Sequence, residues 1–489
     1  MPAFACRRAA SKLLLAALLG GCASVPPPQS RVTPQRSARA LERRSLSDPG
    51  LLRFMALQTG MPQTAGQPWT LQRLGLAALY FHSDLRVSRA SVQLAKADLQ
   101  IARQYPNPSL QLGLKYGSAA ALMARSPWTV GAAIGLLLQS QTRRAAQTAQ
   151  AEAGVRAARL LLRDVRWRVL AQVQQAGIAL WSARRRVRLQ QRVLDTALAL
   201  QGRTAARAQA GMDSPLAAAL AQQSAQQAAL EKSRDLAAQQ AARVALAAAI
   251  GLPDSALQGV TMDFSALDRA PPDPGAACLA RLRHEALERR DSVRAAWQGV
   301  QAAQAALQSA QSLRWGGAPS IAPGAQRDQG VNRLTLAAHL PLPLLNQHQG
   351  QIAAARTRLA QREAVLQQIQ AQVLARIEQA DTDLGAAQEQ ARQSEQSIAV
   401  NQALLDADVA AQAKGLIGPV QTLRMRLRLL STQQAGQQAR AAQWRAFSAL
   451  LAALQQPISS LDERRSPHPS PHPASPPAAT HLSRVVWKH

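Results

Sequence analysis

From Gln139 to Ala210 the chain contains no proline, and its only glycines are Gly154, Gly177 and Gly202. Ala, Gln, Leu and Arg dominate this stretch, and all are strong helix formers. A single helix over it runs about 100 Å at 1.5 Å per residue, more than a compact globule accommodates. A second stretch, Gln347 to Lys414, has only Gly350 near its start and Gly385 inside. Helices of this length predict coiled-coil or elongated bundle packing. Aromatic residues are 3% of the chain against 47% hydrophobic, so the core must come mainly from Ala, Leu and Val, and helix axes can approach closely.

The body of the chain is duplicated. Asp84-Leu85-Arg86-Val87 matches Asp291-Ser292-Val293-Arg294, both opening a helix, and Pro108-Ser109-Leu110 matches Pro319-Ser320-Ile321, both ending one. Thr129-Val130-Gly131-Ala132 matches Thr335-Leu336-Ala337-Ala338. Gly211 with Pro215-Leu216 matches Gly415 with Pro419-Val420, and Leu246 to Pro253 matches Leu450 to Pro457. Matches in one order at nearly one offset make each half a repeat: helix, strand, strand, long helix, turn, medium helix.

Three strands show period-two alternation. Leu110, Leu112, Leu114 and Tyr116 alternate with Ser109, Gln111, Gly113 and Lys115; Trp128, Val130, Ala132, Ile134 and Leu136 alternate with Thr129, Gly131, Ala133 and Gly135. In the second half Leu334, Leu336, Ala338 and Leu340 alternate with Arg333, Thr335, Ala337 and His339. The fourth segment, Ser320 to Ala325, is predicted to be short because Pro323 interrupts it. Such runs approach the length of a membrane-crossing strand, and apolar-out, polar-in alternation suits a water-filled barrel in lipid. A half-buried soluble hairpin gives the same pattern. Four strands alone leave exposed edges that lipid does not tolerate, so a pore requires several copies of the chain.

The two ends are of another kind. Arg7, Arg8 and Lys12 precede the short apolar stretch Leu13 to Leu19 and then Leu19-Gly20-Gly21-Cys22, which predicts a cleaved export signal over residues 1–21. The pattern resembles a bacterial lipoprotein box with Cys22 as the lipidated residue, and Ala23 after it resembles an outer-membrane address. An ordinary secretory signal with a chance cysteine is the alternative. Residues 23 to about 68 are rich in Pro, Ser and Arg and read as a tether with little regular structure. Residues 459–489 form a Pro- and His-rich tail without the means to pack a core; its His468, His472, His481 and His489 are either plain disorder or weak metal binders. No apolar run reaches the eighteen or so residues of a spanning helix.

Taken together, the Tyr105-Pro106-Asn107-Pro108-Ser109-Leu110 corner, the Leu340-Pro341-Leu342-Pro343-Leu344-Leu345-Asn346-Gln347 corner, the Ala249-Ile250-Gly251-Leu252-Pro253 ending and the glycine turns resemble the TolC-like outer membrane factor family over residues 70 to 457. The second corner, followed by Gln349-Gly350, is most similar to the branch serving heavy-metal exporters. The resemblance implies a mainly α fold with a small β part: long antiparallel helices forming a periplasmic α-barrel, and four strands per protomer completing a twelve-stranded outer-membrane β-barrel in a homotrimer. It implies a passive efflux duct joined to a periplasmic adaptor and an inner-membrane pump of the RND type, without a cofactor. The expected organisation is a first repeat over 69–257, a linker over 258–278 and a second repeat over 279–458, preceded by a lipidated tether over 22–68.

Site residues follow from the same resemblance. Leu110, Leu112, Leu114, Tyr116, Trp128, Val130, Ile134, Leu334 and Leu336 are expected to face lipid. Gly211, Met212, Asp213 and Ser214, with Gly415, Leu416, Ile417 and Gly418, are expected to form adaptor-docking tips; they serve equally as plain helix connectors. Gln421 and Arg424 are the candidates for the pore constriction, where acidic residues are common in the family. An arginine-lined constriction favours anions, unless these side chains face solvent outside the tunnel.

Rival functions find less support. The formal net charge of +29 invites a nucleic-acid reading, but the arginines are scattered along helices, aromatic stacking residues are scarce, and Arg184-Arg185-Arg186 is only a short cluster. No glycine-rich phosphate loop, nucleophile elbow or His-Glu metal helix points to an enzyme. Cys278 reads as a small buried hydrophobe. The remaining rival is a structural periplasmic coiled-coil lipoprotein without a pore.

Overall fold

The structure, a computed structural model, describes residues 32–62, 64, 66–117, 127–315, 318–328 and 330–456. Cys22 and the Pro/His-rich tail lie outside the described residues. The chain divides into two compact units, one through Arg44 and one from Ser45 onward. The first contains α1, Pro34–Glu42, which starts at Pro34 because Thr33 accepts a hydrogen bond from Arg36 N.

The second unit opens with α2, Pro49–Thr59. Asp48 Oδ1 caps it, accepting from Gly50 N at 2.6 Å, and Leu51 and Met55 are fully buried. The expectation of little regular structure over residues 23–68 is therefore corrected. A Pro- and Ser-rich composition hides a capped start signal, Asp-Pro, followed by apolar residues one turn apart.

Each repeat begins with two helices joined at a single residue. In the first, α3 (Leu71–Phe81) and α4 (Ser83–Arg103) meet at His82, whose ring Nδ1 accepts from Asp84 N at 3.2 Å. Strands β1 (Ser109–Tyr116) and β2 (Trp128–Leu137), the long helix α5 (Gln141–Gln209) and the medium helix α6 (Pro215–Ile250) follow. In the second, α7 (Ala276–Arg289) and α8 (Asp291–Gln311) meet at Arg290, and β3 (Ser320–Asp328), β4 (Val331–His339), α9 (Gln349–Ala413) and α10 (Pro419–Leu454) follow. The lengths repeat closely: 21 and 21 residues for α4 and α8, 69 and 65 for α5 and α9, 36 and 36 for α6 and α10. The long helices are the two predicted ones, each within two residues at either end.

Along one part of its length α5 packs against α4 and α8, and along the other against α6 and α10; α9 likewise packs first against α8 and then α10. The main core lies where these sets meet. It joins Leu74, Val173, Ile178, Leu246, Ile250, Ile377, Phe447 and Leu450, all nearly fully buried. Trp444 stacks edge-on against Phe447 with ring centroids 5.8 Å apart. Its indole Nε1 donates to Leu267 O at 3.0 Å and Arg269 O at 2.9 Å, fixing the segment between the repeats. Across that segment Trp69 N donates to Thr261 O at 2.9 Å and Asp263 N to Trp69 O at 3.1 Å. Cys278 is partly buried and packs against this core.

Most of the conspicuous basic triplet is taken up inside the fold. Arg185 pairs with Asp268 and Arg186 with Asp235, each at 2.6 Å, and the Asp235 side chain is buried. One pair holds helix to helix and the other holds α5 to the segment between the repeats, which leaves little of the cluster for an external polyanion.

Candidate functional site

Two places carry the predicted functional residues: the sheet, and the turns at the far ends of the long helices. The sheet is a single antiparallel meander in the order β1-β2-β3-β4. Its outer strands, β1 and β4, each have one neighbour among the described residues, so both edges present unpaired backbone groups.

Register decides which side chains share a face, because residues opposite one another across antiparallel strands point the same way. Leu110 lies opposite Ile134, Leu112 opposite Ala132, Leu114 opposite Val130 and Tyr116 opposite Trp128. Continuing across, Ala132 lies opposite Ala325 and Leu136 opposite Ile321. Ile321 then meets Ala338, Pro323 meets Leu336 and Ala325 meets Leu334. One face is thus apolar over all four strands except beside the β3–β4 hairpin, and it holds every residue assigned to a common face from the sequence. Those residues are exposed, up to 91% for Leu334. The other face carries Gln111, Lys115, Thr129, Gln326, Asp328, Arg333 and Thr335, interspersed with Gly113, Gly131, Gly135 and Gly324. There Asp328 accepts from the Thr129 hydroxyl at 2.7 Å and sits 3.5 Å from Arg333.

Two features of this face were missed from sequence. The third strand is not short: β3 has nine residues, one more than β1. Pro323 breaks the ladder without ending the strand. The β2–β3 pairing runs from Thr129↔Asp328 to Ala133↔Gly324, lapses beside Pro323, and resumes at Leu136↔Ile321 in the same register. A proline lacks the donor for one neighbour only, and pairing to β4 continues through Pro323↔Leu336. The apolar face also includes Arg327, opposite Val130 and Asn332, one pair from the β3–β4 hairpin. At the same end of the sheet Tyr116 and Trp128 pack with ring centroids 4.9 Å apart. At the other end Arg144 stacks 3.4 Å over the Tyr105 ring, where α4 becomes β1.

The turns of the two repeats share a backbone. Gly211 and Gly415 take φ 72° and 73°, a left-handed conformation that glycine adopts without a Cβ penalty. Met212 N reaches back to Arg207 O, and Leu416 N to Ala411 O. Pro215 and Pro419 then occupy the first turn of the next helix. Met212 and Leu416 are exposed, Leu416 at 74%. At the first turn Arg207 Nε donates to Asp213 Oδ2 at 2.8 Å and Nη2 to Oδ1 at 3.2 Å. These bonds, reinforced by the nearby charge of Arg424, hold the Asp213 carboxyl below the usual aspartate range. The field of Arg424 on Asp213 links the start of α10 to the first turn. Gln421 and Arg424 are exposed, whereas Thr422 between them is buried.

No group of three His, Cys, Asp or Glu side chains able to hold a metal ion occurs among the described residues. No described helix is long and apolar enough to cross a membrane. The arrangement offers a wall segment with one apolar face, one polar face and long helices leading away from it.

Comparison with known proteins agrees with this architecture. Residues 77–252 match the family model described as outer membrane efflux protein. No curated protein matches. Among solved structures, the outer-membrane channel OprN is similar at 18% identity with a TM-score of 0.64, covering 79% of this chain and 90% of its own. The channel CusC is similar at 17% identity with a TM-score of 0.63, covering 78% and 91%. The outer membrane protein VceC from Vibrio cholerae is similar at 17% identity with a TM-score of 0.63, covering 79% and 96%.

Proposed function

We propose that the chain, which shares the fold of the outer-membrane channels it resembles and matches the outer membrane efflux protein family model in its first repeat, is the exit duct of a tripartite efflux system. Three copies place their sheets side by side as one barrel in the outer membrane, and their helices continue as a tunnel into the periplasm. Transport then needs no chemistry on the cargo. An inner-membrane pump supplies the energy, and a periplasmic adaptor connects pump and duct.

The observation that carries this reading is the apolar face continuous over four strands together with two unpaired sheet edges. An open edge in lipid leaves backbone groups without partners, each costing several kcal/mol, so the sheet has to close with sheets of other copies. The helices carry a matching sign: Val87, Leu94 and Ile101 are spaced seven apart along α4 and are all exposed. That stripe suits a neighbouring copy's helix.

Finer parts of the proposal follow. Cys22 carries the lipid anchor. Residues 211–214 and 415–418 meet the adaptor, and the constriction involves Gln421 and Arg424. The pump is of the RND type; the Leu340–Gln347 corner is similar to that of the heavy-metal branch, a likeness of motif that does not fix the cargo. A pore-free coiled-coil lipoprotein has no use for a four-stranded face of exposed Leu, Val and Trp, which tells against that rival. Step conductances in planar bilayers from a heat-dissociable trimer are the expected result; a monomer in detergent with no conductance contradicts the proposal.

A further inference from the structure

Between Arg203 and Leu220, and between Asp406 and Arg428, the ends of the long helices carry six basic and three acidic side chains. One of the acidic ones is neutralised by an arginine, and Asp406 and Asp408, without an ion pair among the described residues, leave the basic side chains in excess. Asp213 has both oxygens taken by Arg207, and Asp406 accepts from Gln402 at 2.9 Å. The basic ones on α10 are open: Arg424, Arg426 and Arg428 are all exposed and none forms an ion pair among the described residues. Lys414, at the end of α9, is exposed as well.

The spacing of the three arginines matters more than their number. Arg424 and Arg428 lie one turn apart on the same side of α10, with Gln421 in line before them. Arg426 lies about 200° round the helix from Arg424, at about 100° per residue. The flanks of α10 are occupied by α9 and α5. Its exposed arginines therefore point to opposite sides, so a tunnel on either side meets arginine at this level. A narrow passage with low-dielectric walls concentrates such a field.

From this we infer that the tip end of the duct selects for anions: its cargo passes as organic or inorganic anions, or as neutral molecules, in preference to free metal cations. The inference rests on the chain being a duct. It names the substrate class that such a duct admits most readily, and it sets the entrance against a bare divalent cation, which would meet a ring of three guanidinium groups from every set of equivalent positions.

The test is the reversal potential of the purified full-length protein in planar bilayers under a potassium chloride gradient. Chloride is expected to permeate at least about twofold better than potassium at 0.1 M, and less selectively at 1 M, where the Debye length shrinks to about 3 Å. R424Q/R426Q/R428Q is expected to lose the preference, and R424E/R426E/R428E to reverse it. R159Q, which removes an exposed charge far along α5, is expected to leave it unchanged. Trimer migration on gels checks that each variant assembles; the glutamine variant removes the charge without reversing it, and it carries the test where the glutamate variant fails to fold. Potassium-preferring conductance from the wild type overturns this inference and leaves the duct standing. Absence of any conductance overturns both. Chloride preference that survives in the glutamine variant overturns the assignment to the tip.

Discussion

At the first helix turn, Asp213 is held by two hydrogen bonds from Arg207, and Ser214 Oγ accepts from Ala217 N at 3.1 Å to cap α6. At the second turn the backbone is the same, but Gly418 precedes α10 without a side-chain cap and Ile417 stands where the first repeat has Asp213. The contrast extends up the medium helices. Phe447, fully buried, falls at the offset where the first repeat has Arg243, and Arg243 pairs with Asp254 instead. Duplication has thus kept the path of the chain and let the side chains specialise. At these matched positions the first repeat is held by ion pairs, whereas the second places a core aromatic and leaves its basic tip unpinned.

Four experiments bear on that contrast. The largest effect is expected in the core: Phe447→Ala should cost about 3–5 kcal/mol of stability, whereas Arg243→Ala at the matching position should cost little, as partly exposed pairs do. Denaturant unfolding of the detergent-solubilised protein measures both, and equal losses would break the contrast. Next come the strands, where the repeats are expected to agree. Leu112→Arg and Leu336→Arg each put a charge on the apolar face and should impair barrel insertion by about 2–4 kcal/mol. Gln111→Arg, on the opposite face, should insert normally in membrane fractionation.

Smaller effects are expected at the turns. Gly211→Val and Gly415→Val force a β-branched residue into a left-handed conformation, so both should destabilise by about 1–2 kcal/mol, measured as a lowered melting temperature of each variant. The smallest effect separates the turns again. Asp213→Ala should raise hydrogen exchange at residues 208–217 and leave 412–421 unchanged. Because the Asp213 carboxyl is depressed by Arg207, its contribution is complete above the ordinary aspartate range and disappears as pH falls through its lowered value. Exchange at the first turn should therefore stay slow at mildly acidic pH and rise only in stronger acid, while the second turn shows no such step.

Much of this was legible in the sequence because it is written in periodicity. Long runs without proline gave α5 and α9, and alternation gave β1, β2 and β4 with their apolar residues on the correct common face. What escaped depends on pairing. Pro323 predicts a short third strand, yet the ladder lapses beside it only towards β2, while pairing to β4 runs on through Pro323↔Leu336, so the strand persists to Asp328. Arg327 joins the apolar face only through its register with Val130, which no single-strand pattern discloses. Helix α2 was hidden by composition, since Pro49 and Asp48 mark a start as readily as they mark a linker. The nearness of Arg424 to Asp213 joins residues some two hundred positions apart, and only the packing of α10 beside α5 creates it.

The two open margins of the sheet have a consequence for the chain's early life. For the duct proposed above, a single molecule is an incomplete object, with a greasy panel and two adhesive borders that lipid does not accommodate. Its insertion must depend steeply on how many siblings are at hand, so halving synthesis should cut the yield of finished conduits by far more than half. In a cell, scarcity of this protein would show itself as loose, degradable panels rather than as fewer, equally sound tubes.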